Sequence, residues 1–394
     1  MMKVKTIIAV AAFCCLMVSC IKDEAPNKEC DIESARIEGE EYAEYFYQPT
    51  EMRKDNISSA ETNIVFTVRS MLSLPKQIPV SFKITTGATI EPASVSMQDF
   101  TKGPVTYTVT SEDRQWTRTY SVIFREASLP FDKYSFEHVE TQAVGSTNQM
   151  HVFYEVVTDT KSGSETAERK YCWATGNAGA AILKYKAMPE DFPTYSTPNG
   201  YEGKGVCMNT QSTGYWGELM GKPIAAGNLF LGEFNVDYVM VDPLKATLFG
   251  IPDPQEPVRI IGWYKYQPGE NFTDKDMKVH PERKDEASIY AVYYRNVDEQ
   301  GNKYVLDGNA VEDLDKLKDN PQVYKIARVA SLPATDTWTQ FEMFFEGKDA
   351  PDDIVKALGF NLALVCSSSK SGAQFEGAIG SVLYVDEIEV MYEK

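Results

Sequence analysis

Residues 258–266, Val258-Arg-Ile-Ile-Gly-Trp-Tyr-Lys-Tyr266, form a short run rich in β-branched and aromatic side chains. Such side chains fit a pleated strand, and Pro268 and Gly269 end the run. Trp263 and Tyr264 are neighbours, so on a regular strand they face opposite sides. The segment therefore predicts a β-strand with aromatic residues on both faces.

Further runs of the same kind follow Pro130, separated by long loops rich in Gly, Pro, Asn and Asp. Helical pattern is scarce, and residues 351–358 are the best candidate, with a proline in the first turn and Gly359 to end the helix. Many antiparallel strands with long connections predict a double-sheet jelly roll over residues 131–394. The clearest strand candidates cover residues 228–234, 258–266, 287–294, 323–329, 337–345, 360–366 and 382–390.

The part of the chain before residue 127 shows a regular alternation of apolar and other residues. Ile64, Phe66 and Val68 alternate in this way, and three later segments repeat the pattern, which buries one face of each strand. Turn residues between the segments complete the pattern of a small antiparallel β-sandwich over residues 30–127. The sequence Ala-Ser-Leu-Pro at 127–130 marks the predicted boundary between the two domains.

Residues 1–19 have the composition of a secretory signal. Lys3 and Lys5 precede an apolar run that is too short for a permanent membrane span, and Ser19 stands before Cys20. This junction resembles the lipobox of bacterial lipoproteins, in which the new N-terminal cysteine carries the lipid. The resemblance implies lipidation of Cys20, a polar tether over residues 20–29, and an outer-membrane lipoprotein that faces the periplasm or the cell surface.

Charge and cysteine content restrict the partners of the chain. The formal net charge of the 394 residues is −18, which disfavours nucleic acid and anionic lipid. The cysteines after Cys20 allow three disulfide pairings, and their spacing does not fit a zinc site. Apolar neighbours favour buried free thiols for the last three of them. These four cysteines are Cys30, Cys172, Cys207 and Cys366.

Four segments of the C-terminal part together resemble a known family. They are Trp173-Ala-Thr-Gly-Asn-Ala-Gly179, residues 221–234, residues 262–269, and residues 367–381 running into 383–388. In this order they resemble the putative carbohydrate metabolism domain (PCMD) of gut Bacteroidota lipoproteins. The resemblance implies a jelly roll like that of carbohydrate-binding modules and a glycan as partner, but it supplies no catalytic residues.

The N-terminal part resembles a second group of domains. Residues 84–90, Ile-Thr-Thr-Gly-Ala-Thr-Ile, and residues 120–124, Tyr-Ser-Val-Ile-Phe, resemble the N-terminal immunoglobulin-like domains of Bacteroidota surface lipoproteins. In those proteins the domain usually serves as a spacer. The predicted fold class is therefore all-β, with an immunoglobulin-like β-sandwich followed by a larger jelly-roll β-sandwich.

Candidate glycan contacts are flat aromatic side chains, because a pyranose presents an apolar C–H face that stacks on a ring. Tyr215 and Trp216 are the best candidates, since they lie in a glycine-flanked loop where large rings are not needed for packing. Trp263 and Tyr266 come next, although about half of the aromatic residues on a strand face the core. Asn177 either offers its amide to a sugar hydroxyl or caps its own turn.

A structural calcium is the one metal that the sequence brings into consideration. Asp386 lies on the predicted last strand, and similar jelly-roll modules often hold calcium with a carboxylate at this place. Calcium needs six to eight oxygen ligands, mostly carboxylates and carbonyls. The alternative is that Asp386 belongs to a solvated strand face.

Catalytic motifs are absent from the sequence. The three histidines are scattered, and neither a G-x-S-x-G elbow nor an H-E-x-x-H motif occurs. Among 57 acidic residues a carboxylate pair for glycoside hydrolysis can always be nominated, so such a pair has little weight. The sequence therefore predicts glycan binding, with a glycoside hydrolase and a structural or adhesin-like subunit as alternatives.

Overall fold

The computed structural model describes residues 26–46, 49–69, 71, 73–126, 129–159, 166–311 and 313–392. The predicted signal, Cys20 and part of the predicted tether lie outside these residues, as do Ala127 and Ser128 of the predicted boundary. Apolar side chains from residues 32–124 form one hydrophobic core, and those from residues 134–390 form separate cores. The described chain thus folds around an N-terminal and a C-terminal set of buried side chains.

The N-terminal core lies between two sheets of an immunoglobulin-like β-sandwich. Ile64, Phe66 and Val68 are buried, as their alternation predicts. Strand Asn63–Val68 pairs in parallel with Thr117–Glu126, whereas the sequence predicted only antiparallel pairs. In order across the described sheets, the strands are Arg53–Lys54, Ile32–Ile37, Ile78–Ile84 and Met97–Gln98, then Asn63–Val68, Thr117–Glu126, Val105–Thr110 and Thr89–Glu91; 3₁₀ turns cover Glu40–Tyr45, Pro49–Met52 and Phe100–Lys102.

The C-terminal part is a jelly-roll β-sandwich of two facing antiparallel sheets. In the described residues the larger sheet has nine strands and the smaller sheet has six. The larger sheet consists of Leu306–Asp307, Thr247–Phe249, Asn228–Phe234, Phe360–Ser367, Ser288–Arg295, Val323–Arg328 and Glu346–Gly347, with Trp173–Ala174 and Ile251–Pro252 off this path. The smaller sheet consists of Thr194–Thr197, Gly205–Asn209, Val382–Tyr392, Pro257–Gln267 and Thr335–Phe344, with Lys133–Tyr134 beside Val382–Tyr392.

Strand Pro257–Gln267 shows how the sequence assigns side chains to the two faces of the smaller sheet. Ile260, Tyr264 and Tyr266 point into the core between the sheets, while Trp263 and Lys265 lie on the outer face. The same alternation divides the larger sheet into an inner face and an outer face with its own buried cluster around Phe230 and Tyr290. Each sheet therefore presents an outer surface on which a ligand site could be built.

Helices are few and short among the described residues. The helix predicted over 351–358 is confirmed as Asp352–Lys356, preceded by Pro351. None of the described helices has the length and hydropathy of a membrane span. The other α-helices are Asn177–Ala180, Gly214–Leu219 and Leu314–Leu317, and 3₁₀ turns cover Ala181–Leu183, Pro189–Asp191, Val236–Tyr238, Pro243–Ala246 and Gly372–Gln374.

Four two-stranded hairpins or ladders complete the described part of the C-terminal domain. They pair Val139–Val144 with Asn148–Phe153, Glu155–Asp159 with Thr166–Lys170, Gln211–Ser212 with Ile224–Ala225, and Phe272–Thr273 with Gly377–Ala378.

The prediction of buried free thiols is confirmed for Cys172, Cys207 and Cys366. Burial raises the pKa of Cys172 to about 12, so this thiol stays protonated at neutral pH.

Candidate functional site

A cleft of about 1490 Å³ opens on the outer face of the larger sheet. Phe230, Tyr290 and Val365 form part of its floor, and these side chains alternate with core residues along their strands. Asn228 and Ser367 place polar groups beside this apolar floor. A concave, mainly apolar site with a few polar groups is the usual form of a site for small organic molecules.

Part of the lining of the cleft comes from the segments that carry the family resemblance. Residues from 176–180, 222–234 and 367–375 line it, and Tyr266 and Pro268 come from the remaining segment. These stretches are separated by up to about 200 positions, and the larger sheet brings them to one place. The fold thus gathers at this cleft the residues that are most distinctive in the sequence.

Tyr215 and Trp216 do not line this cleft themselves, but they lie on the helix Gly214–Leu219, whose flanking residues do. They are 71% and 66% exposed, and their ring centroids are 5.6 Å apart at an interplanar angle of 72°. Thr213 and Met220, which flank the two rings in sequence, line the cleft. The two aromatic rings are therefore available to a ligand that occupies it.

The local structure around the two rings differs from the predicted loop. They lie on the short helix Gly214–Leu219, where Gly217 packs against Thr213. A Cβ at Gly217 would approach the Thr213 hydroxyl to 1.9 Å and the carbonyl oxygen of Lys222 to 2.8 Å. Glycine is thus needed for packing, and the helix holds both rings out toward solvent.

Asn177 and Tyr266, two of the predicted glycan contacts, are almost fully buried. Asn177 is 1% exposed, and its amide group donates to the Thr194 carbonyl (2.6 Å) and accepts from the Thr194 amide (3.1 Å). Tyr266 is 2% exposed and belongs to the core between the sheets. Both residues border the cleft although they are buried, so their predicted contact with a ligand stays a prediction.

Trp263 lies on the outer face of the smaller sheet, away from the cleft. Its ring stacks on that of Tyr201, with centroids 3.9 Å apart and an interplanar angle of 7°. The structure therefore does not bring Trp263 together with Tyr215 and Trp216. Tyr201 was not predicted from sequence; it belongs to a loop between two short strands.

Asp386 holds this loop in place. Its Oδ2 atom accepts hydrogen bonds from the backbone amides of Tyr201 (2.7 Å) and Glu202 (3.0 Å), and its Oδ1 atom accepts from the amide of Glu387 (2.8 Å). Burial raises the pKa of Asp386 to about 6. No group of three or more His, Cys, Asp or Glu side chains suited to a metal occurs in the described residues. Asp386, the predicted calcium ligand, is therefore not part of such a group.

Four carboxylates line the cleft, and each already has a partner. Asp313 caps the helix Leu314–Leu317, and hydrogen bonds from its backbone lower the pKa of Asp313. Asp315 pairs with Arg328 at 3.0 Å, and Glu286 lies 3.6 Å from the Lys370 ammonium. A glycosidase needs one carboxylic acid with a raised pKa and a second carboxylate across the substrate. The lowered pKa of Asp313 is the opposite of what that acid needs.

The fourth carboxylate, Asp285, is almost fully buried in the wall of the cleft. Its Oδ2 atom accepts from the hydroxyls of Ser369 and Ser381 (each 2.6 Å) and from the amide of Ala378 (2.7 Å), and Oδ1 accepts from the amide of Glu286 (2.9 Å). Burial raises the pKa of Asp285, and these bonds oppose the rise. Three donors bind Oδ2 and one binds Oδ1, so Asp285 organises the wall. Sequence reasoning missed it because Lys284-Asp285-Glu286 has the composition of a solvated turn.

Comparison with known proteins now assigns the chain to a family. The family model described as "Putative carbohydrate metabolism domain" matches residues 135–391. The chain belongs to this family. A second model, the N-terminal domain of SGBP, matches residues 47–123. The two matched ranges correspond to the two β-sandwiches, so this PCMD protein combines a family domain with an N-terminal domain of a different family.

Two solved structures are similar to this PCMD protein over most of their length. One, titled a putative glycoside hydrolase from Bacteroides thetaiotaomicron VPI-5482, is 34% identical, with 95% of this chain and 99% of that chain covered and a TM-score of 0.66. Another, titled a putative glycoside hydrolase from Bacteroides vulgatus ATCC 8482, is 34% identical, covers 68% of this chain and 100% of its own, and has a TM-score of 0.59. No curated protein is significantly similar to the chain. Membership of the family gives the protein a carbohydrate-related function.

Proposed function

We propose that this PCMD protein binds carbohydrate in the cleft of the larger sheet, with Tyr215 and Trp216 as stacking contacts beside it. The observation that carries the proposal is the high exposure of these two rings, 71% and 66%, beside a cleft that the family segments line in part. Exposed rings cost solvation free energy unless a partner covers them, and a sugar ring is a partner of suitable shape. Asn228 and Ser367 supply groups that can hydrogen-bond to sugar hydroxyls.

Binding without hydrolysis is favoured by the carboxylates of the cleft. Asp285, Asp313, Asp315 and Glu286 are all engaged in structural contacts among the described residues. The alternative, a glycoside hydrolase, is supported by the two similar structures, each of which is described as a putative glycoside hydrolase. We also propose that the protein is exported and anchored through a lipid on Cys20, which the composition of residues 1–20 supports.

Trp216→Ala is expected to weaken glycan binding by at least about tenfold, because in a small contact a single stacked ring carries much of the binding free energy. Affinity electrophoresis in gels containing a panel of plant and host polysaccharides measures this effect. Trp116→Ala is the matched control, since Trp116 is 58% exposed but lies in the N-terminal sandwich. We expect this control to bind as the wild type does.

Two results would contradict the proposal. One is a wild-type protein that no polysaccharide of the panel retards, and the other is a Trp216→Ala protein that binds unchanged. Release of reducing sugar from a retarding polysaccharide, abolished by a single Asp or Glu substitution, would replace binding by hydrolysis as the function. Circular dichroism of both variants confirms that any loss of binding is not a loss of fold.

A further inference from the structure

The outer face of the smaller sheet carries a second cluster of aromatic rings, distant from the cleft. Trp263, Trp338 and Tyr384 come from three neighbouring strands, and Tyr201 comes from the loop above them. Strand register places Lys265 directly opposite Tyr384, and Trp263 opposite Gln340. We call the rings of these four aromatic residues, with Lys265, the lysine platform.

The rings of the platform form a continuous array. Tyr201 stacks on Trp263 and meets Trp338 edge-on, with centroids 6.4 Å apart at 78°. Trp338 in turn meets Tyr384 at 6.5 Å and 73°. Tyr201 is 45% exposed, and the other three rings are partly exposed. Such a surface offers flat apolar area to the C–H face of a sugar ring while still being accessible from solvent.

Lys265 gives the lysine platform a preference for anionic ligands. Its Nζ atom lies 4.7 Å from the centroid of Trp338 and 4.7 Å from that of Tyr384. Among the described residues no carboxylate forms an ion pair with it, although acidic residues outnumber basic ones in this chain by 57 to 39. A cation that is held between two rings and has no counter-ion is suited to receive an anionic group from a ligand.

The loop that carries Tyr201 is fixed before any ligand arrives. Asp386 accepts the backbone amides of Tyr201 and Glu202, as described above. Gly200 lies so close to Lys204 that a Cβ there would approach the Lys204 carbonyl oxygen to 2.4 Å and Asp386 Oδ2 to 2.7 Å. The position of Tyr201 over Trp263 is therefore set by the backbone, which reduces the entropy lost on binding.

We propose that the lysine platform is a second binding site, independent of the cleft, and that it takes an acidic sugar. The apolar face of the pyranose would lie against the exposed rings, and its anionic substituent would pair with the Lys265 ammonium. Gln340, which is exposed beside Trp263, is placed to hydrogen-bond to a hydroxyl. The net charge of −18 opposes non-specific attachment of a polyanion, so binding needs this local cation.

The test is affinity electrophoresis at physiological salt against acidic and neutral polysaccharides. The acidic arm contains polygalacturonate, alginate and hyaluronate as uronates, and carrageenan as a sulfate ester; the neutral arm contains fully methyl-esterified pectin and pectic galactan. We expect at least one acidic polysaccharide to retard the protein, and the two kinds of acidic polysaccharide tell carboxylate from sulfate. Methyl esterification is expected to reduce retardation by polygalacturonate where polygalacturonate is a ligand.

Substitutions assign the effect to the platform. Lys265→Met, which keeps the aliphatic stem between the rings, is expected to weaken binding of the acidic polysaccharide at least tenfold, and Lys265→Arg to retain most of it. Lys186→Met is the matched control: it removes the same charge from an exposed lysine that lies 5.2 Å from a single ring, that of Tyr185. We expect Lys186→Met to bind acidic polysaccharide as the wild type does.

Three results would overturn the proposal: no acidic polysaccharide retards the wild type, Lys265→Met binds as the wild type does, or Lys186→Met weakens binding equally. The cleft and the platform are separable in this design. Failure of Trp216→Ala to change binding of neutral glycan contradicts the proposed function alone, and failure of Lys265→Met to change binding of acidic glycan contradicts the platform alone. Thermal unfolding of Lys265→Met and Lys265→Arg shows whether both variants are folded.

Discussion

Asp285→Ala is expected to lower the free energy of unfolding of the C-terminal domain by about 3–5 kcal/mol. The substitution leaves the Ser369 and Ser381 hydroxyls and the Ala378 amide buried without their shared acceptor. Each buried donor that loses its partner costs about 1–3 kcal/mol, and only part of this cost is recovered by relaxation or by entry of water. Urea denaturation followed by circular dichroism measures the change.

Asp298→Ala serves as the control for Asp285→Ala. Asp298 also accepts several hydrogen bonds, from the backbone amides of Gln300 (3.0 Å) and Asn302 (2.7 Å) and from the Asn302 side chain (3.1 Å). It lies at the surface, where water replaces the lost acceptor, so we expect a much smaller cost than for Asp285→Ala. Equal destabilisation by the two substitutions would show that the burial of the Asp285 hydrogen bonds does not increase the cost of losing them.

Glu155→Gln is expected to stabilise the protein at pH 8 and to have little effect at pH 4. Glu155 is 8% exposed, and burial together with the nearby Glu387 raises the pKa of Glu155 from 4.5 to about 7. A carboxyl group whose pKa is raised by folding favours the folded state below its unfolded pKa, and this contribution is lost as the pH rises through its folded pKa. Between pH 4 and pH 8 the wild type is therefore expected to lose about 3 kcal/mol through this one group.

The measurement for Glu155→Gln is the free energy of unfolding as a function of pH. The difference between variant and wild type should grow between about pH 4.5 and pH 7 and then level off. The residue also lies near Cys172, and its neighbour Glu387 pairs with Lys133, so these groups belong to the same buried surroundings. Glu346→Gln, at an exposed position, is the control, and a pH dependence shared by both variants would contradict the assignment to Glu155.

The strands of the C-terminal domain could be predicted from sequence because the types and alternation of their own side chains determine where they form. Strand Asn228–Phe234 has the predicted bounds, and Phe360–Ser367 and Val323–Arg328 differ from prediction by one residue at one end. Alternation also assigned Tyr264 correctly to the face opposite Trp263. Local periodicity was therefore sufficient to predict most of the strands of this domain.

The candidate sites were only partly predictable because they depend on contacts between distant parts of the chain. Exposure of Tyr215 and Trp216 followed from their glycine neighbours, yet the burial of Asn177 depends on Thr194 and could not be seen locally. Tyr201 and Asp285 gave no local signal, since their roles come from Trp263 and from the Ser369 and Ser381 hydroxyls. These parts of the sites form only when segments that are far apart in sequence pack together.

Strand Val382–Tyr392 lies in the interior of the smaller sheet, between Gly205–Asn209 and Pro257–Gln267, and it also pairs with Lys133–Tyr134. The two ends of the jelly roll thus meet in one ladder, although roughly 250 residues separate them. A nascent chain cannot close this sheet until residues 382–392 have left the ribosome. The domain consequently completes its folding only after synthesis of strand Val382–Tyr392.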